Sequence, residues 1–145
     1  MDTTRIRYYH AVFYTGAIFN VLAAATFAFA FDLFYEFLGG EPVPDIPLLH
    51  LFTDLMGLAI LLFSPVYFFA GRWVEKQESN LLITLGAVGK ILFFAVVFGY
   101  AAAGLTGWSL VAVGVVDLVY AALFIECLLY KSARKKPFSS APTVA

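Results

Sequence analysis

Residues 86–94 read GAVGKILFF, one lysine inside an otherwise apolar run. A lysine at the centre of a hydrocarbon layer costs roughly 2.5–3.5 kcal/mol on insertion scales. The apolar run around Lys90 extends from about Leu81 to Ala103, the length of a membrane crossing. Lys90 therefore sets the problem that the rest of the chain has to solve: a charge at mid-membrane needs a partner at the same depth.

Three more stretches have the same character. They run from about residue 8 to 38, 48 to 70 and 108 to 130. Each exceeds the ~20 helical residues that cover a bilayer core of ~30 Å. None alternates as a membrane β-strand does, so the expectation is an all-α, integral membrane four-helix bundle. Composition agrees: 62% of the 145 residues are hydrophobic, 13% are charged, and the mean hydropathy is +0.88. Soluble domains are about 45–50% apolar and about 25% charged.

The connectors punctuate the spans. GGEPVPDIP (39–47) carries three prolines and two glycines and breaks the chain. GRWVEKQESN (71–80) is polar, and Ser79 and Asn80 are expected helix N-caps. GLTG (104–107) is a tight turn that makes an antiparallel hairpin of the third and fourth spans. Eight of the nine Lys and Arg lie at one end: Arg5, Arg7, Arg72, Lys76, Lys131, Arg134, Lys135 and Lys136. The other end holds Glu41 and Asp45 and no base. The positive-inside rule then puts both termini in the cytoplasm, with the chain crossing a cell membrane several times. Residues 131–145 read as a flexible basic tail beside anionic headgroups. A cleaved signal peptide is the competing reading of the N-terminus. The run of apolar residues past Ala25 argues against it.

At ~1.5 Å per helical residue, depth follows from position. Lys90, Asp117 and Asn20 all fall near the midplane, with Asp54 somewhat nearer the acidic end. Lys90 and Asp117 have opposite charge and sit on hairpin-linked helices. A buried Lys90–Asp117 pair is the expected answer, with Asn20 or Asp54 as a further partner. Small residues flank these positions: Gly86 before Lys90, Gly114 and Ala121 around Asp117, Gly57 after Asp54, Gly16 and Ala24 around Asn20. Small residues let helices approach closely, so the polar and packing faces coincide.

A second group lies toward the acidic end. Asp32 and Glu36 are four apart, as are His50 and Asp54, so each pair shares a helix face. Together they read as one water-accessible cluster, with three open interpretations: a metal site, a proton-accepting vestibule, or side chains solvated at the interface. A third group, His10, Tyr14 and Glu126, is at comparable depth toward the basic end, where Glu126 is expected to pair with a base or to line an inner opening. Trp73, Tyr130 and Trp108 fall at the expected interfaces. Pro65 is expected to bend the second span, because it cannot donate to the Leu61 carbonyl.

Composition also excludes. A single cysteine, Cys127, rules out an intramolecular disulfide. Zinc-finger spacing, a P-loop and a dinucleotide fingerprint are all missing, and nothing suggests a nucleic-acid partner. No cofactor is specified.

The four short spans, the Gly89-Lys90 step in the third and GVVDLVYAALF (114–124) in the fourth resemble the small bacterial four-helix membrane proteins of the DoxX-like group. The resemblance implies a bundle fold in a bacterial inner membrane and permits a redox-associated role. The single cysteine departs from any member that would use a cysteine pair. Three functions follow as expectations. One is a protein that binds or converts a lipid-soluble small molecule (quinone-, sterol- or isoprenoid-like), with Lys90, Asp117 and Asp54 orienting its polar end and Asn20, Asp32, Glu36 and His50 contributing to binding. Another is an accessory subunit of a larger membrane complex, in which the charges only fix helix packing. The third is a proton-coupled transporter, which with four helices needs a homodimer.

Overall fold

A computed structural model describes residues 2–38 and 45–134. The proline-rich connector around Glu41 and the basic tail with Lys135 and Lys136 lie outside the described residues. Among the described residues five helices follow in order: α1 (Thr3–Phe29), α2 (Phe31–Phe37), α3 (Pro47–Arg72), α4 (Ser79–Ala102) and α5 (Trp108–Ala133). All but the short α2 are long and apolar enough to cross a membrane. The all-α four-helix membrane bundle is therefore the observed architecture.

The first span is not one helix to residue 38. Ala30 adopts φ −145° and ψ 27°, and the chain restarts as α2. A single helix over 31 residues would reach about 46 Å, well beyond the hydrocarbon core. The backbone kinks at Ala30, yet the Ala30 and Phe34 N–H groups still donate to the Thr26 and Ala30 carbonyls at 2.9 and 3.0 Å, and the Phe27 ring lies 5.6 Å from Phe31 and 6.2 Å from Phe34. The Ser109 hydroxyl then donates to the Leu38 carbonyl at 2.6 Å, tying the end of α2 to the start of α5. The α4–α5 turn uses Gly104 at φ +73°, a left-handed conformation that suits glycine.

Two expectations at the basic end need correction. Ser79 and Asn80 do not cap α4, whose N-cap is Glu78, with no side-chain cap bond. The Ser79 hydroxyl instead donates to the Lys76 carbonyl at 2.8 Å. The tail does not begin at Lys131, because α5 continues to Ala133 and Lys131 is buried. Its ammonium donates to the Lys76 carbonyl and the Ser79 hydroxyl, both at 2.7 Å. A long apolar stem ending in three donors suits this place, where it clamps the α3–α4 connector onto α5. α3 runs unbroken through Pro65.

The helices associate as two tight pairs. α1 packs along α3 and α4 along α5; the pairs meet mainly through α3 and α4, and α1 touches α5 only thinly. The main core lies toward the basic end, around Tyr9, Phe13, Tyr67, Ile83 and Phe124, with the Phe13 and Phe124 rings stacked at 4.7 Å. Large apolar side chains such as Leu22, Leu62, Leu92 and Leu129 point outward, as lipid contact requires. The small residues expected to face inward do so: Gly16, Ala24, Gly57, Gly86, Gly114 and Ala121 are all buried.

Candidate functional site

Lys90 stands at the middle of α4, and its ammonium is hydrogen-bonded and ion-paired to Asp117 Oδ1 of α5. Both residues are buried, at 4% and 9% exposure. The pair is neutral as a unit, which removes most of the penalty that either charge alone would carry in hydrocarbon.

Three rings complete the surroundings of the ammonium. Its Nζ lies 5.4 Å from the Phe19 ring, 5.4 Å from Tyr67 and 5.3 Å from Tyr120. Cation–π contacts of this kind are each worth about 0.5–2 kcal/mol, the higher figure where water is excluded. Room for the rings comes from glycine. A Cβ on Gly86 would sit 2.6 Å from Tyr67 Cε1, and one on Gly16 would sit 3.4 Å from Tyr120 Cε1. Glycines one turn from the polar residues thus admit the aromatic walls, and the walls hold the charge.

Asn20 joins this site. Its Nδ2 donates to the Ile60 carbonyl at 3.5 Å. Asn20, Lys90 and Asp117 share a cavity of about 190 Å³ between α3 and α4, walled by Ile60, Phe63, Tyr67 and Phe93. The cavity offers one strong donor and one strong acceptor on a largely apolar lining.

Asp54 is not part of it. The structure places Asp54 on the exposed side of α3, where it lines a separate polar cavity of about 280 Å³ with Asp32, His50 and Thr53. Depth along the helix suggested proximity to Lys90, but the azimuth around α3 turns the carboxylate away. Three of the four residues of the expected acidic-end cluster therefore share a cavity, while Glu36 is exposed and not on its lining. His50 Nε2 meets Asp45 Oδ1 at 3.2 Å. Among the described residues no three His, Cys, Asp or Glu side chains converge as a metal ion would need.

Toward the basic end, Glu126 accepts from Arg5 Nη1 at 3.0 Å and from the Tyr9 hydroxyl at 3.1 Å, so it pairs with a base as expected. His10 and Tyr14 do not join it and pack ring against ring at 5.7 Å. Glu126 and Asp117 serve separate centres.

Sequence reasoning missed the aromatic cage. Tyr120 is one turn from Asp117 and Phe19 adjoins Asn20, but sixteen Phe and eight Tyr leave no contrast by which to single them out. With this geometry established, the chain is an integral membrane four-helix bundle with a buried, aromatic-caged ion pair. Comparison with protein-family models, characterised proteins and solved structures finds no match to it.

Proposed function

We propose that the protein binds a lipid-soluble small molecule, with its polar end held by Lys90 and Asp117 in the α3–α4 cavity and its apolar part directed toward the bilayer. The observation that carries this reading is the cavity itself, in which an ammonium, a carboxylate and the Asn20 amide are set into walls of Ile60, Phe63, Tyr67 and Phe93. A binding site for an apolar ligand is expected to be mostly apolar with a few convergent polar groups. The size favours a single-ring head: a cavity of about 150 Å³ accommodates benzene, and a fused polycycle needs more. A quinone-like head with an alkyl or isoprenoid chain therefore suits the site better than a sterol. The Gly89-Lys90 step and the 114–124 segment, which resemble DoxX-like proteins, support a redox-associated ligand of this kind.

The chain sits, on this reading, in a bacterial inner membrane with its basic end in the cytoplasm. The supporting observation is the segregation of Arg5, Arg72, Lys76, Lys131 and Arg134 to one end of the bundle.

The test is titration of detergent-extracted protein with decylubiquinone, read as thermal stabilisation. Ligand linkage raises the apparent stability of wild type with concentration. The uncharged Lys90→Met, Asp117→Leu double variant is expected to show no such rise. Equal stabilisation of both overturns the reading. If neither responds, the pair is a packing device, as in an accessory subunit of a larger membrane complex.

A further inference from the structure

The two tight helix pairs leave two seams, and the ligand cavity described above occupies only one of them. On the α1–α5 seam, where contact is thinnest, lies a second cavity of about 290 Å³. Its walls include Phe19, Leu22, Phe34 and Val113, and its polar floor is Asn20 and Asp117. Asp117 thus lines both cavities, whereas Lys90 lines only the first.

That difference decides the chemistry. On the second seam the strong polar group is an acceptor. Asp117 gives Oδ1 to Lys90, but a carboxylate has about four lone-pair sites, so acceptor capacity remains. The Asn20 Nδ2 is directed at the Ile60 carbonyl, and the hydroxyl of Thr26, also on the lining, donates back to Leu22 at 3.0 Å. A ligand that brings a donor meets the strongest partner here, the Asp117 carboxylate, beside one remaining N–H of the Asn20 amide. It is also best uncharged, because Lys90 already balances the carboxylate and a second cation would leave a net charge in the hydrocarbon layer.

We propose that the α1–α5 seam is a second lipid-binding site, selective for a neutral hydroxyl-bearing lipophile such as a long-chain or prenyl alcohol, whose O–H donates to Asp117. The two cavities share Asn20, Ile60 and Asp117 and differ in the rest of their walls, Phe19, Phe34 and Val113 here against Phe63, Tyr67 and Phe93 beside Lys90.

The experiment uses the full chain in lipid nanodiscs and two photoreactive probes: a long-chain alcohol with a diazirine in its chain, and the methyl ether of the same molecule. Crosslinked residues are mapped by peptide mass spectrometry. The alcohol is expected to label Phe19, Phe27 and Val113 about tenfold more than the ether, the loss that follows from one missing hydrogen bond to a charged acceptor. Val113→Phe, which fills the cavity, abolishes this labelling; Leu92→Phe, at an outward-facing position, leaves it intact. Ala23→Leu fills the same cavity from α1 and stands in if Val113→Phe fails to fold. Equal labelling by alcohol and ether, or labelling indifferent to both filling variants, means ordinary boundary lipid and overturns the proposal. Labelling confined to Phe63 and Phe93 places the alcohol at the Lys90 cavity, which overturns the second site but leaves the first reading standing.

Discussion

Lys90 and Asp117 face each other across the α4–α5 hairpin, each the other's charge partner in a site otherwise walled by aromatic rings. Removing one member strands the other. Lys90→Met alone and Asp117→Leu alone are each expected to lose roughly 3–5 kcal/mol of stability, as breaking a buried pair does. The double variant is expected to recover most of that loss. Thermal unfolding in detergent measures all three, and losses that simply add would dismiss the pairing.

The cage should be separable from the ion pair. Phe19→Leu in the wild-type background removes one cation–π contact, whereas in the Lys90→Met background it removes only apolar area. The double-mutant cycle is expected to give a coupling of about 0.5–2 kcal/mol. A coupling indistinguishable from zero would make the ring a packing element only.

Two glycines of α4 should respond in opposite directions. At Gly86 an added Cβ would press on the Tyr67 ring at 2.6 Å and on Phe124 at 3.0 Å, so Gly86→Ala is expected to destabilise and to disturb the cage. At Gly99 nothing lies within 4 Å, and Gly99→Ala is expected to stabilise the helix by about 0.5–1 kcal/mol. Melting temperatures of the two variants, compared side by side, decide it.

The Arg5–Glu126 bridge is half exposed, with side-chain exposures of 48% and 43%. Glu126→Gln is therefore expected to change stability by no more than about 1 kcal/mol. Lys131→Met, which releases the buried tie to Lys76 and Ser79, should cost clearly more. Chemical denaturation of the two variants ranks them, and the reverse order would show that the clamp at Lys131 carries little.

Orientation is checked with paired C-terminal reporters, one active only in the cytoplasm and one only outside it. The cytoplasmic reporter is expected to be active. Activity of the other reporter alone would invert the bundle.

How much of this could be read from the sequence follows from a geometric distinction. Hydropathy and residue count give depth, and depth with opposite charge was enough to pair Lys90 with Asp117 and to bring in Asn20. Azimuth is harder to read. Asp54 has a plausible depth but points away from Lys90, and Glu36 has a plausible neighbour four residues earlier but stays off the shared cavity. The break at Ala30 carries no Gly or Pro, so local propensity gives no warning. Lys131 reads as tail because it follows the last apolar run. Its burial depends on the Lys76 carbonyl and Ser79, fifty-odd residues away in the chain. Phe19, Tyr67 and Tyr120 were hidden by their own abundance.

Both mid-membrane charges belong to the same hairpin, and this bears on how the chain is made. Helices α1 and α3 leave the ribosome first, and the pair they make in the finished bundle contains neither member of the Lys90–Asp117 couple. α4 and α5 follow, joined by only five residues, 103–107. Lys90 and Asp117 can therefore meet while the second hairpin is still leaving the insertion machinery, and that hairpin can enter the bilayer with its two buried charges cancelling. Each half of the molecule is then free to partition on its own. The seams are where the two halves meet, and both cavities lie along them.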